Sequence, residues 1–489
     1  MRNMIFGLAM VGTFPAVAQN KPNIILLMAD DLGWADTGFN GNKIIRTPNL
    51  DKMAKEGVRF NRFYSASAEC SPTRASVLTG RNPFRIGVYE ANSGILRPEE
   101  ITLPELLNGE GYTTGLFGKW HLGTLTHKEK DANRGKPGNL KEFNPPVMHG
   151  YDCAFVTESK VPTYDPMKKP RDRFDKEGWD YLKENEPFEP FGTAYWDING
   201  NKVTDNLDGD DSRVIMDRAI PFVEQAIMNS TPFLAVIWFH SPHMPCVAGP
   251  KYQEMYKGQD SKMRNYAGSI TALDEQVGRL REILKDRGVD SNTMIWFCSD
   301  NGPEDGSPGS AGIFRERKHS LHEGGVRVPG LLVWPQKITH PFVTDMPCVT
   351  SDYLPTIMEV LKIKKSKVSN QLDGISLLPL LEGRMSARPK PIGFCFPGQV
   401  SYCNNQHKLY ARDGVYELYD ILKDPEEKND IQLEKSYIFK HFKKNINQFV
   451  LSCKLSFEGK ENEKASYERL NQKWIDPTLP KPRQIKTSE

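Results

Sequence analysis

Apolar residues follow two alternating rhythms along the chain. Asn23 to Ala29, Phe233 to Phe239, Thr293 to Cys298 and Gly330 to Trp334 are largely apolar runs of strand length, and Thr113 to Phe117 reads as a further short strand. Such runs suit strands buried on both faces, as in parallel sheets. Between them, apolar positions recur at helical spacing. Ser212 to Met228 places Val214, Ile215, Ala219, Phe222, Val223, Ala226 and Ile227 in this way, with Pro221 as a candidate kink. Met263 to Leu284 is the strongest amphipathic helix. Shorter helices are expected over Pro48 to Glu56, Leu103 to Glu110 and Tyr353 to Leu361. Strands alternating with helices predict an α/β fold, a large, mostly parallel sheet sandwiched by helices.

Two regions break the rhythm. Residues 124 to 210 are rich in Pro, Gly and charge, and read as a long, largely irregular insertion. After about residue 385 short strands follow one another: Ile392 to Phe396, His407 to Ala411 and Val415 to Tyr419, with Asp413-Gly414 as a hairpin signal. The expected organisation is a catalytic unit over 19–385, a smaller C-terminal α+β unit with an antiparallel sheet over 386–470, and a loose Pro- and Lys-rich tail over 471–489. No internal repeat is present.

The polar residues worth attention share one address. Asp30, Asp31, Lys119, His121, His243, Asp300 and Asn301 all follow the C-terminal ends of apolar runs. Ligands bind outside those ends in open α/β sheets. Asp30, Asp31, Asp300 and Asn301 form a hard oxygen set that fits Ca²⁺ or Mg²⁺ better than zinc. Taken singly, Asp30-Asp31 could be a helix cap and Asp300-Asn301-Gly302 a turn. Together they would repel one another without a cation or several bases nearby. Cys70 stands just before Pro72, a residue suited to the first turn of a helix. A sulfur nucleophile at a helix N-terminus, with Arg74 one turn on, points to chemistry on an anionic ester. A free cysteine packed as a small apolar side chain is the alternative on this stretch alone.

Composition narrows the setting. The 489 residues are 38% hydrophobic and 26% charged, with a net charge of +2, which gives no reason to expect nucleic acid as a partner. Arg2, an apolar Met4 to Val11 and Ala16-Val17-Ala18 make residues 1–18 a signal peptide, so the protein is expected to be exported, periplasmic or secreted. No apolar run is long enough to span a bilayer. Eight cysteines in an exported chain invite disulfides, and Cys395 and Cys403 are close enough in sequence to bridge a hairpin.

Cys70-Ser71-Pro72-Thr73-Arg74, continued by Leu78-Thr79-Gly80-Arg81, resembles the signature of type I sulfatases, members of the alkaline phosphatase superfamily. Further blocks of that family follow its order: Asp30-Asp31-Leu32-Gly33, Gly111 to Gly115 with Gly118 to Gly123, Pro242-His243-Met244-Pro245, Ser299-Asp300-Asn301-Gly302, and Lys318 leading to Glu323 through Pro329. The resemblance covers roughly residues 22–430 and implies an alkaline phosphatase-like fold with a small C-terminal antiparallel sheet. It implies that Cys70 is converted to formylglycine by a sulfatase-maturing enzyme, its hydrate being the nucleophile and also a metal ligand. It implies Ca²⁺ on Asp30, Asp31, Asp300 and Asn301, with Mg²⁺ possible. Arg74 would hold the hydrate, Lys119 and Lys318 would clamp the sulfate, His121 would accept a proton, and His243 would protonate the leaving group. The family position two before a proline selects His243 over His240, which is kept as a sulfate or substrate contact. His319 and His322 depart from the commonest pattern and are candidates for specificity, with the 124–210 insertion. Glu323 and Arg327 are expected to support their loop. The implied activity is hydrolysis of a sulfated carbohydrate or aryl sulfate. A phosphate or phosphonate monoester hydrolase of the same superfamily is the alternative. A noncatalytic glycan binder would be expected to have lost Cys70, Lys119 or His243.

Overall fold

The structure, a computed structural model, describes residues 21–173, 178–368, 370–461 and 472–480. The expected signal peptide lies outside the described residues.

Ten strands form the main sheet: β1 Asn23–Ala29, β2 Val58–Phe60, β3 Thr113–Lys119, β4 Cys153–Thr157, β5 Tyr195–Asp197, β6 Lys202–Val203, β7 Phe233–Trp238, β8 Thr293–Ser299, β9 Gly330–Val333 and β10 Phe342–Thr344. Their order across the sheet is β10-β2-β9-β8-β1-β7-β3-β4-β5-β6. The centre, from β8 to β4, is parallel. The flanks contain antiparallel pairings, so the sheet is mixed.

The largely apolar runs are explained by both faces being covered. Ile24, Leu26 and Met28 of β1 pack in one layer with Val77, Leu78, Trp296 and Leu354. Ile25 and Leu27 pack in the other with Val214, Val223, Leu273 and Val277. The helices named here are α1 Pro48–Glu56, α2 Cys70–Thr79, α3 Asp211–Met228, α4 Ser261–Asp286 and α5 Ser436–Phe457. Asp274 of α4 accepts from the backbone N–H groups of Asn49 and Leu50, which satisfies donors at the start of α1. α3 runs through Pro221.

The 124–210 region is less irregular than its composition suggests. It supplies β4, β5 and β6, which extend the main sheet at one edge. These strands are short: β4 pairs with β3, β5 with β4, and β6 with β5.

A second, antiparallel sheet joins β11 Ile392–Phe396, β12 Gln399–Cys403, β13 His407–Arg412 and β14 Val415–Asp420. One face packs on α5 through Val400, Leu409, Leu418, Phe442 and Ile446. The other packs on the main unit through Phe394, Tyr410, Tyr419, Tyr64, Leu321 and Val326. The Cys395–Cys403 bridge does not form. Cys395 is opposite Val400 and faces α5, whereas Cys403 is opposite Ile392 and faces the main unit. Directly opposed residues share a face of a sheet, and these two cysteines lie on different faces. All eight cysteines are free thiols. Part of the expected loose tail is docked: Trp474 packs edge-on against Phe84 and Tyr89 and also meets Phe457.

Candidate active site

Strand register brings the site together. Met28 is level with Trp238 and Cys298, and Trp238 is level with Gly118. The next residues therefore emerge side by side: Asp30 after β1, Lys119 at the end of β3, His240 after β7 and Asp300 after β8. Asp30 N–H donates to Ser241 O and Asp300 N–H to Ala29 O, which locks three strand ends in register. Gly118 is required here. It has φ +103°, and a Cβ would stand 1.9 Å from Trp238 O.

Cys70 is the first residue of α2, with Glu69 as the N-cap, so the helix begins two residues earlier than Pro72 suggests. All ten residues of α2 are buried. Cys70 Sγ and carboxylate oxygens of Asp30 and Asp300 lie within 4.8 Å of one another, and so do ligand atoms of Asp30, Asp31 and His243. Burial, outweighing the Lys119 and Lys318 charges, pushes the Cys70 thiol up to about 11. As a thiol it is protonated at neutral pH and is a weak nucleophile.

Three buried cations face the carboxylates. Arg74 donates to Asp300 Oδ2 at 2.6 Å and to Lys119 O, and its guanidinium lies 5.1 Å from the Trp238 ring. Lys119 Nζ donates to Asp30 Oδ2 at 2.7 Å. Lys318 Nζ reaches Asp31 Oδ1 at 2.8 Å and Glu304 Oε2 at 2.7 Å. Burial opposes charge on Asp30, yet Lys119, His243, Arg74 and Lys318 together hold its carboxyl well below the usual range. Burial, with Asp30 next to it, pushes Asp300 up to about 7.

In this cluster Asp30 Oδ1 and Asn301 Oδ1 have no hydrogen-bond partner among the described residues. The Asn301 amide donates to Asp31 Oδ1 at 2.6 Å and to Gly302 O, which leaves its carbonyl as a bare acceptor. Buried acceptors are ordinarily satisfied. These orphans, with the neighbouring carboxylates, fit a hard divalent cation.

The histidines separate into different roles. His121 Nε2 meets Asn92 Oδ1 at 3.0 Å, while Nδ1 is buried without a partner. Burial first, then the Lys119 charge, hold its pKa well below the ordinary value, so the ring is neutral. His243 Nδ1 contacts Met244 O at 2.6 Å and must carry its proton, because a carbonyl only accepts; Nε2 is 3.5 Å from Asp31 Oδ2. Burial lowers His243 to about 4. Met244 also lines a cavity of about 380 Å³ with Trp179, Lys262, Asn265, Tyr266 and Pro308.

His240 is not free to touch substrate. It is fully buried, with Nδ1 on Asp211 Oδ2 and Nε2 on Thr157 Oγ1, both at 2.8 Å. The 240–245 segment is a tight turn, His243 N–H donating to His240 O, rather than an extended stretch. His322 is not brought to the cleft either. Its ring is buried, 3.8 Å from the Tyr410 ring and 3.1 Å from Glu427. An aromatic contact is the reason an imidazole suits that position. His319 does reach the rim, half exposed, with Nδ1 on Glu69 Oε1 at 2.6 Å. Glu323 and Arg327 support the loop as expected, and Lys408 of β13 joins them: it pairs with Glu323 at 2.9 Å and Glu427 at 3.0 Å. Burial opposes the charge of Glu323, yet Lys408 and Arg327 hold it down at about 2. That loop is seated against Asn301, since Gly302 N–H donates to Gly325 O and a Cβ on Gly302 would stand 2.0 Å from Gly324 O.

Sequence reasoning missed Glu304, Glu69 and Asn92. Glu304 holds Lys318, Glu69 holds His319, and Asn92 holds His121. Glu304 comes four residues after Asp300, a spacing that could have singled it out. Nothing in the sequence marks the other two.

The fold and the buried cluster together define a hydrolase of the alkaline phosphatase type. The sulfatase family model matches residues 22–363, and the chain belongs to that family. Mouse N-acetylgalactosamine-6-sulfatase is 32% identical over 408 residues, 79% of this chain and 72% of the relative. Human arylsulfatase A is 32% identical over 419 residues, 83% of this chain and 75% of the relative. The crystal structure of Ps i-CgsB in complex with k-i-k-neocarrahexaose is 28% identical, with a TM-score of 0.71 over 88% of this chain and 92% of that one. The protein is a sulfatase.

Proposed function

We propose that the protein removes sulfate from a sulfated carbohydrate, of the galactose or hexosamine type, using a formylglycine made from Cys70. The observation that carries this reading is Cys70 itself. It is a buried, protonated thiol at a helix N-terminus, ringed by Arg74, Lys119 and Lys318. That ring suits an anionic ester, and the thiol does not suit the work unmodified. The aldehyde hydrate supplies an attacking hydroxyl and a second hydroxyl whose loss of a proton expels sulfate. Ca²⁺ on Asp30, Asp31, Asp300 and Asn301 would neutralise the carboxylates that now occupy the two lysines, leaving their ammonium groups for sulfate.

The residues then divide the remaining tasks. Lys119 and Lys318 bind sulfate oxygens and stabilise charge as the S–O bond breaks. Arg74, fixed by Asp300 and Trp238, stabilises the nucleophile. His121 is neutral with Nδ1 free, so it can accept the proton of the second hydroxyl. His243 delivers a proton from Nε2 to the leaving oxygen. Its low pKa means that it must take up that proton as the negative substrate arrives. The cavity lined by Met244, the residue after His243, would take the sugar, with Trp179 as a face for its ring. Export by the N-terminal segment and a maturing enzyme acting on Cys70 complete the reading.

The test is direct. Protein from a host with the maturation machinery should show an aldehyde at residue 70 by peptide mass spectrometry, release sulfate from sulfated mono- and disaccharides, and carry calcium by elemental analysis. Full activity with an unaltered thiol, or stoichiometric zinc in active enzyme, would overturn it.

A further inference from the structure

The cations of the site are compensated one by one. Arg74 has Asp300, Lys119 has Asp30, Lys318 has Asp31 and Glu304, and His319 has Glu69. Lys160 is different. Its side chain is partly exposed and partly enclosed, and has no hydrogen bond or ion pair among the described residues.

Its position is fixed by the sheet. Lys119 is level with Thr157 in the parallel β3–β4 pair. Beyond the strand ends the ladder continues: Trp120 N–H donates to Thr157 O and His121 N–H to Glu158 O, both at 2.9 Å. Ser159 Oγ then accepts from Asn133 Nδ2, and Asn133 shares Asn92 Oδ1 with His121. Residues 157–160 therefore run alongside 119–121, and Lys160 is the first of them to leave the buried wall for the cleft rim. Val161 turns back into the core, which anchors the segment on its far side.

We infer that Lys160 binds a second negatively charged group of the substrate, a sulfate or carboxylate on the same sugar or its neighbour. The inference rests on the sulfatase reading and narrows it to saccharides bearing at least two anionic groups. A sulfate seated between Lys119 and Lys318 brings its ring to the rim, where a second anion meets a cation that nothing else neutralises. The site also makes Lys160 unfavourable alone. Burial, then repulsion from Lys119 and Lys318, lower its pKa, and an anion would relieve that repulsion. A solvated surface lysine is the ordinary expectation, but it would not stand within the field of both sulfate-clamping lysines. Charges at a rim chiefly set selectivity among partners.

The experiment is calorimetric binding of N-acetylgalactosamine 6-sulfate and N-acetylgalactosamine 4,6-disulfate to the full chain with Cys70 unmodified, so that no turnover intervenes. Wild type should bind the disulfated sugar roughly 10-fold more tightly. Lys160→Ala should reduce that preference to less than about 3-fold, and Lys160→Arg should keep it. Melting curves confirm that each variant is folded. Equal affinities in wild type, or a preference that survives Lys160→Ala, would overturn the inference. Matured enzyme that turns over neither 4-nitrophenyl sulfate nor any sulfated sugar, with the Lys160-dependent preference intact, would sink the sulfatase reading and leave this one standing.

Discussion

His240 and His243 stand three residues apart and do unlike work. His240 is a strut, both ring nitrogens engaged by Asp211 and Thr157 in the core. Removing it strands a buried carboxylate, so His240→Ala is expected to cost about 3 kcal/mol of stability, measured by denaturant unfolding. His243 has one nitrogen on a carbonyl and the other facing Asp31. His243→Ala should leave stability nearly unchanged and lower turnover of sugar sulfates by ~10²–10⁴, with a much smaller loss on aryl sulfates, whose phenoxides leave without help. Kinetics on one substrate of each kind separate the two. If His240→Ala carries the leaving-group dependence instead, the roles are reversed.

Elements show where sequence patterns inform and where they stop. Asp30, Lys119 and Asp300 were legible because an apolar run ending in a polar residue marks a strand end, and parallel strand ends meet. Glu69, Asn92 and Glu304 lie in turns and loops without periodicity, so their partners become visible only once the chain is folded. Cys395 and Cys403 misled because closeness in sequence says nothing about which face of a sheet a side chain takes. His322 misled for a related reason: its neighbour, Tyr410, is distant in sequence. His319 stands half exposed beside Glu69, and its surroundings make a further expectation. Glu304 and Glu69 raise it from an ordinary 6.5 to about 9, so it is cationic when folded. A raised pKa gives stability that is complete below the unfolded value and is lost as pH rises through the folded one. The melting temperature of wild type should therefore fall between about pH 6.5 and 9, and His319→Gln should flatten that limb. An unchanged slope in the variant would show that the ion pairs do not hold in solution.

For the molecule as a whole, the small sheet is a structural part of the site rather than an appendage. Lys408 of β13 is fully buried between Glu323 and Glu427, and the loop headed by Glu323 is seated through Gly325 on Gly302, next to Asn301. Lys408→Ala leaves two buried carboxylates facing one another without that cation. The expected cost is about 3–5 kcal/mol, with a loss of activity although no substrate touches Lys408. Equilibrium unfolding together with turnover checks this, and a variant of normal stability and activity would show that the two units are independent.

The complete burial of α2 has a consequence in time. Cys70 is 1% exposed, at the head of a helix with no accessible residue. An enzyme that oxidises residue 70 would meet a side chain already buried in the finished protein, so on the proposed chemistry it is expected to act on a chain not yet closed. The site cannot close until Lys408 and Glu427 have been synthesised. At typical elongation rates of about 5–20 residues per second, that interval is on the order of tens of seconds. A variant that folded α2 early, however stable, would shorten the interval and emerge as well-formed protein with an inert thiol at its centre.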